Sequence, residues 1–319
     1  MSTITTIIGV YLTLVCLFGS LLNGVSLLVI CRYKIFKESK SMKPFLLSGI
    51  GLDLVTCLFT YPLSISSSFA TKWSHSDQAC TFYGFVNTWA AINSIFQLTG
   101  LAFDRYVTLT RPFQKLSMLG GRRPLIFAVA LTFTSLLIAV LPFTGLSSYS
   151  KEGLQVSCSI DWIRNSTNDY IYYGVLFILG YLMPVSVQLI CNLRFIRVLK
   201  VMSHVSKEKY GRRSSLAIHS DRSLRQMTFM VFVMSIAFQI SWMPYALVTI
   251  LRLFKVHLSP LLETLPSVFA KASVVLNPLI YCFMSKSFRS VFACCKHPDG
   301  NSESTETPKE KGPVDNKGM

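Results

Sequence analysis

Charged residues are scarce in this chain, at 14% of 319 residues, where soluble domains carry about 25%. An ordinary water-soluble globule is therefore excluded, and the 51% hydrophobic content points the same way. Acids are scarcer still, 15 Asp and Glu against 31 Lys and Arg. No internal repeat is visible, which weighs against a transporter assembled from repeated halves. The first apolar stretch begins about six residues in, with neither a basic flank nor a small-residue cleavage site. It reads as a spanning helix rather than a cleaved leader.

What the chain has in abundance is apolar blocks. Seven run over residues 7–32, 44–69, 79–109, 124–146, 170–199, 225–252 and 259–284, and each meets the ~20 residues a helix needs to cross a bilayer. Several exceed that length, which predicts tilt or extension beyond the membrane. The expected fold is an all-α membrane protein, a seven-transmembrane helix bundle. One receptor-sized domain over 1–295 would end in a short amphipathic cytoplasmic helix, helix 8, followed by a disordered tail over 296–319.

The basic residues orient the bundle. Twenty-four lie between or beyond blocks on one side, against five on the other: Lys72, Lys151, Arg164, Arg252 and Lys255. By the positive-inside rule the N-terminus is outside and the C-terminus cytoplasmic. The net charge of +16 is thereby explained by inner loops, so no nucleic-acid partner is implied. That inner surface suits anionic lipid or an acidic protein.

Of nine cysteines only Cys80 and Cys158 fall on the outer side, where an oxidising exterior favours a disulfide between them. The outer loop 147–169 carries Asn165-Ser166-Thr167, a glycosylation sequon on the correct side. The polar, basic inner segment 200–224 reads as a solvated loop. After block seven, Phe288, Val291, Phe292 and Cys295 recur at helical spacing, as in a helix lying on the membrane surface. Cys294 and Cys295 beside it are palmitoylation candidates.

Within the blocks a few residues are expensive. Lys271 sits in the middle of block seven, where a charged amine costs about 3 kcal/mol to insert. Such a residue must be paired, held neutral, or carry something covalently. Asp53 is the sole acid of block two and needs polar partners, which Asn23 and Asn277 are placed to supply. Pro184, Pro244 and Pro278 each delete a backbone hydrogen bond and allow kinks, and kinked helices can repack as a switch requires.

The order of these features matters more than any one of them. Asn23 and Asp53 are followed by Cys80, Asp104-Arg105-Tyr106, Cys158, Trp242-Met243-Pro244-Tyr245 and Asn277-Pro278-Leu279-Ile280-Tyr281. Over essentially the whole chain this resembles the rhodopsin-like (class A) G-protein-coupled receptors. The resemblance implies that Arg105, with Asp104 and Tyr106, holds a resting state and then meets a heterotrimeric G protein. It implies arrestin and receptor kinase as further partners.

Lys271, seven residues before Pro278, resembles the retinal-binding lysine of animal opsins. The implied cofactor is retinal, as the 11-cis or a related isomer, held as a protonated Schiff base. A protonated imine needs a counterion. Vertebrate visual opsins place a glutamate three residues after the helix-three cysteine, but here that residue is Tyr83. The run Glu152 to Trp162 resembles the opsin plug, and Glu152 stands six residues before Cys158, where many non-visual and invertebrate opsins hold their counterion. Trp242 and Tyr245 are expected to line the pocket, with Tyr83 and Asn87 near it. Light would isomerise the chromophore, push on Trp242, swing helix six about Pro244 and expose Arg105, in a plasma or photoreceptor membrane.

The match departs in places. Leu224 stands where visual pigments hold Arg105 with an acid, Asn192 where helix five usually offers a tyrosine to Tyr281, and Leu276 before Asn277. These point to a non-visual or invertebrate, cnidarian-like opsin. The alternatives are a class A receptor for a diffusible ligand, opposed by Lys271 and the Glu152 plug, and a non-signalling retinal photoisomerase, opposed by the intact Arg105 and Asn277 motifs.

Overall fold

The computed structural model describes residues 2–32, 41–110, 122–164, 166–209, 215–285 and 288–289, with side chains of 199–209 and 215–224 undescribed. Asn165, Cys294, Cys295, most of the expected helix 8 and the tail lie outside the described residues, as does the Leu224 side chain.

Among the described residues six helices are long and apolar enough to cross a membrane. They are α1 (Ser2–Arg32), α2 (Lys43–Phe69), α4 (Arg123–Thr144), α5 (Thr167–Val198), the Arg225–Leu253 part of α6 (Ser215–Leu253) and α7 (Pro260–Met284). The remaining helix, α3 (Asp77–Thr110), has 34 residues, about 51 Å at 1.5 Å per residue. Its composition is too polar to register as a span because it runs through the middle of the bundle. It packs on α2, α4, α5 and α6 and buries Asn93, Gln97, Asp104 and Arg105. Lipid-facing helices show the reverse pattern, with Leu14, Leu17, Phe18 and Leu21 of α1 exposed.

One expectation needs correction. The segment 200–224 is largely helical: α5 continues to Lys209 and α6 begins at Ser215. Charge does not end a helix that has left the bilayer, and no glycine or proline interrupts 185–209; Lys and Glu are good helix formers. The all-α bundle carries a small sheet, in the loop between α4 and α5. Strands β1 (Tyr149–Glu152) and β2 (Ser157–Ile160) form an antiparallel hairpin, with Lys151 opposite Cys158 and Glu152 opposite Ser157.

That hairpin is the outer plug. The Cys80–Cys158 disulfide ties it to α3. Ser64 of α2 donates to the Val156 carbonyl at 2.9 Å. Leu154 N donates to Thr264 Oγ1 of α7 at 2.9 Å. The turn carries Gly153 at φ +41°, against the Pro260 carbonyl and Thr264, a conformation and an approach that a side chain would obstruct.

Helix α7 breaks at the lysine rather than at Pro278. Pro260–Ala270 and Ser273–Met284 are helical, with Lys271 and Ala272 forming a turn between them. The Lys271 N to Val268 O and Ala272 N to Phe269 O contacts, 3.2 and 3.1 Å, are tightened i−3 bonds. Pro278 instead leaves the Val274 carbonyl without its helical donor, and Asn23 Nδ2 supplies one at 2.9 Å. Through Pro244, α6 remains one helix.

Candidate functional site

Under the plug lies a cavity of about 1130 Å³ of empty space, solvent-open part included. It reaches from Glu152 down to Asp53. Its walls include Tyr83, Asn87, Trp242, Tyr245 and Lys271. All six residues expected at a chromophore pocket therefore share one chamber. Asn87 donates to the Tyr83 carbonyl at 2.8 Å, which fixes its amide on the α3 wall.

Lys271 is 8% exposed and Glu152 6% exposed. Among the described residues no carboxylate lies within the 4.0 Å of an ion pair to Lys271. The two are joined through Ser267, which the sequence reading missed. Lys271 Nζ donates to the Ser267 carbonyl at 3.3 Å, and Ser267 Oγ donates to Glu152 Oε2 at 2.8 Å. Ser157 Oγ reaches the same oxygen at 3.1 Å. Burial pushes the Glu152 carboxyl above its ordinary range, while the Lys271 charge and the hydroxyls of Ser267, Ser157 and Ser159 pull it back. Tyr83 offers the amine a π face, with Lys271 Nζ 6.0 Å from its ring centre. The fully buried Tyr83 hydroxyl has no hydrogen-bond partner among the described residues. The spacing of Ser267 and Lys271 was a usable signal, since residues four apart share a helix face.

The other acids of this end are engaged elsewhere. Glu263 pairs with Arg252 of α6, and Asp161 accepts from Ile163 N at 3.1 Å, a structural role.

Below the amine, Trp242 Nε1 donates to Ser273 Oγ at 3.2 Å, linking α6 to the half of α7 that follows the break. Trp242 stacks on Phe238, 5.7 Å between centres, and meets Tyr245 edge-on at 5.9 Å. Trp162 in turn donates to Tyr245 OH at 3.3 Å, so the plug holds the outer part of α6. Asp53 forms the chamber floor, but neither asparagine serves it as expected. Asn23 spends its amide on the Gly19 and Val274 carbonyls, and no hydrogen bond joins Asn277 to Asp53 among the described residues.

At the end of the bundle away from the plug Asp104 and Arg105 are each 1% exposed and form an ion pair. Ser41 closes it, donating to Asp104 Oδ2 and accepting from Arg105 Nη2, both at 2.9 Å. Tyr106 is partly buried, and Tyr281 is buried with its ring 5.3 Å from Phe288. Two glutamines hold α6. Gln239 Nε2 reaches Gln188 Oε1 of α5 at 3.4 Å, and Gln188 Nε2 donates to Ile95 O and Thr99 Oγ1 of α3 at 3.1 and 2.9 Å. Gln226 donates to the Met284 carbonyl of α7.

A heptahelical bundle with a plugged chamber at one end and a buried arginine at the other has the architecture of a membrane receptor. The family described as 7 transmembrane receptor (rhodopsin family) matches residues 22–281. The chain is 30% identical over 306 residues to pinopsin of Columba livia, covering 92% of this chain and 84% of that one. It is 30% identical over 312 residues to the protein called Rhodopsin, GQ-coupled, of Mizuhopecten yessoensis, covering 91% and 61%. The crystal structure of squid rhodopsin superposes with a TM-score of 0.82 at 26% identity, covering 94% of this chain and 89% of that one. The chain thus belongs to the rhodopsin family of seven-transmembrane receptors, on its animal opsin branch. It spans about three-fifths of the length of several relatives, 61% of the Mizuhopecten protein and of Phodopus sungorus melanopsin.

Proposed function

We propose that the protein is a light-sensing receptor that binds retinal covalently on Lys271, with Glu152 as the counterion, and signals through a heterotrimeric G protein. One observation carries this reading. Among the described residues Lys271 is the only Lys or Arg lining the chamber, and the buried Glu152 shares that chamber one serine away.

The residues suit an elongated apolar aldehyde. The walls are largely aromatic and aliphatic, including Ile92, Ile95, Phe177, Tyr181 and Phe238. The unpartnered Tyr83 hydroxyl leaves one polar group free near the amine. Condensation of the Lys271 amine with the aldehyde forms a C=N bond and releases one water. The chromophore supplies photoisomerisation; the protein orients and transmits. Trp242 is placed to register a change of shape, because its ring lines the chamber and its N–H ties α6 to α7. Loss of that tie frees α6 to move, which opens the Arg105–Asp104–Ser41 cluster to a G protein. Arrestin and a receptor kinase would follow at the same face. The N-terminus would lie outside, in a plasma or photoreceptor membrane.

The test is expression with 11-cis-retinal, an absorption spectrum, and a light-dependent G-protein assay, with a Gq-class protein tried first. A retinal-dependent visible band lost in Lys271→Ala is expected. A band that survives the substitution would refute the attachment site, and a pigment without light-dependent nucleotide exchange would leave a photoisomerase.

A further inference from the structure

The Ser267 hydroxyl has one proton and two acceptors. Glu152 Oε2 lies at 2.8 Å and the Thr264 carbonyl, one turn back on α7, at 3.0 Å. A hydroxyl bonded to a charged acceptor makes a stronger hydrogen bond than one bonded to a neutral carbonyl. An ionised Glu152 therefore takes the proton, and a neutral Glu152 lets it turn back to Thr264. The backbone carbonyl of the same residue accepts from Lys271 Nζ at 3.3 Å. Among the described residues Ser267 is thus the one that hydrogen-bonds to both members of the pair, and it belongs to the helix that carries the amine.

We infer that Ser267 is a positioning residue that holds the Glu152 carboxylate in its charged, amine-directed state and links the outer plug to α7. Ser157 acts on the same oxygen from within the hairpin at 3.1 Å, so it moves with the plug. Ser267 does not, so of the two bonds to this oxygen only the one from Ser267 is broken when plug and α7 separate. Other ionisable groups lining the same chamber are Lys271 on α7, Tyr83 on α3, Tyr181 on α5, Tyr245 on α6, and Asp53 and Tyr61 on α2. None of them offers Glu152 a hydrogen bond within the described residues, which leaves the serines as its direct partners. The inference rests on the counterion role proposed above, and its test separates the two.

The carboxyl of Glu152 is followed by infrared titration of the retinal-free protein, its band assigned by subtraction of Glu152→Gln. Ser267→Ala should raise the titration midpoint by about one pH unit, the scale of a hydrogen bond to a charged group. Ser267→Thr, which keeps the hydroxyl, should restore it, and Ser267→Cys should fall between should the alanine variant fold poorly. In the retinal-loaded protein Ser267→Ala should lower the pH at which the visible band is lost by a similar amount, and should have no effect in a Glu152→Gln background. An unmoved infrared midpoint, or an equal shift in the Glu152→Gln background, overturns the inference. If Glu152→Gln leaves the visible titration unchanged while the infrared shift is seen, the counterion role fails and the positioning of Glu152 by Ser267 stands.

Discussion

Asn23 of α1 donates its side-chain amide to the Val274 carbonyl of α7 at 2.9 Å, the carbonyl that Pro278 leaves without a helical donor. A proline in a membrane helix is tolerated only where some neighbour satisfies the freed group. Asn23 does so from a fully buried position, 0% exposed. Asn23→Leu should therefore leave the carbonyl unsatisfied and cost about 1–3 kcal/mol. Thermal unfolding of the purified protein in detergent measures this, and a melting point equal to wild type would show that water or relaxation replaces the amide.

This pairing shows what the sequence disclosed and what it hid. The seven helices were legible because insertion demands long apolar runs, and the expected block 259–284 differs from α7 by one residue at its start. The plug disulfide was legible from compartment alone. The use of Asn23 was not: its amide had several plausible acceptors, and only three-dimensional proximity selects Val274 over Asp53. Ser267 was hidden for the same reason, lying 115 residues from Glu152 in the chain. The break at Lys271–Ala272 was hidden because the expected breaker, Pro278, sits within a continuous helical segment. Glutamines 188 and 239 gave a real signal, polar side chains inside apolar blocks, that the receptor motifs overshadowed.

The pH behaviour of the retinal-free protein follows from Glu152. Its carboxyl is raised above the ordinary value of 4.5 by burial, so between that value and the folded-state value the native protein binds more protons than the unfolded chain. Stability then falls as pH rises through this window. Melting points of the retinal-free protein measured upward from pH 4 should decline, and Glu152→Gln should flatten that decline. A slope of the opposite sign would mean that Lys271 and the three serines outweigh burial.

Two glutamines tie α6 to its neighbours. Gln239 ties α6 to α5 through Gln188, and Gln226 ties it to α7 at Met284. Each hydrogen bond is worth about 0.5–1.5 kcal/mol net, so losing one shifts the resting equilibrium by roughly two- to tenfold. Gln226→Ala and Gln239→Leu should each raise G-protein activation in darkness by such a factor, with the double variant higher still. Nucleotide exchange in the dark is the measurement; unchanged dark rates in both variants would place the resting restraint entirely in the Arg105–Asp104–Ser41 cluster.

The plug closes on α7 through Gly153. Its φ of +41° is open to glycine and strained for alanine, and a Cβ there would press on the Pro260 carbonyl and Thr264 Oγ1. Thr264 is also the acceptor for Leu154 N, so any displacement of its side chain loosens the hairpin tip. Strain of this kind costs about 1–3 kcal/mol. It falls on the contact between the hairpin tip and α7, while the Cys80–Cys158 disulfide still ties strand β2 to α3. Gly153→Ala should consequently fold but leak. With retinal bound, its visible band should decay in dark hydroxylamine several-fold faster than wild type, and the Thr264→Val variant, which removes the acceptor without the strain, should show a smaller acceleration. Equal decay in all three proteins would mean that small nucleophiles reach Lys271 by a route other than the plug.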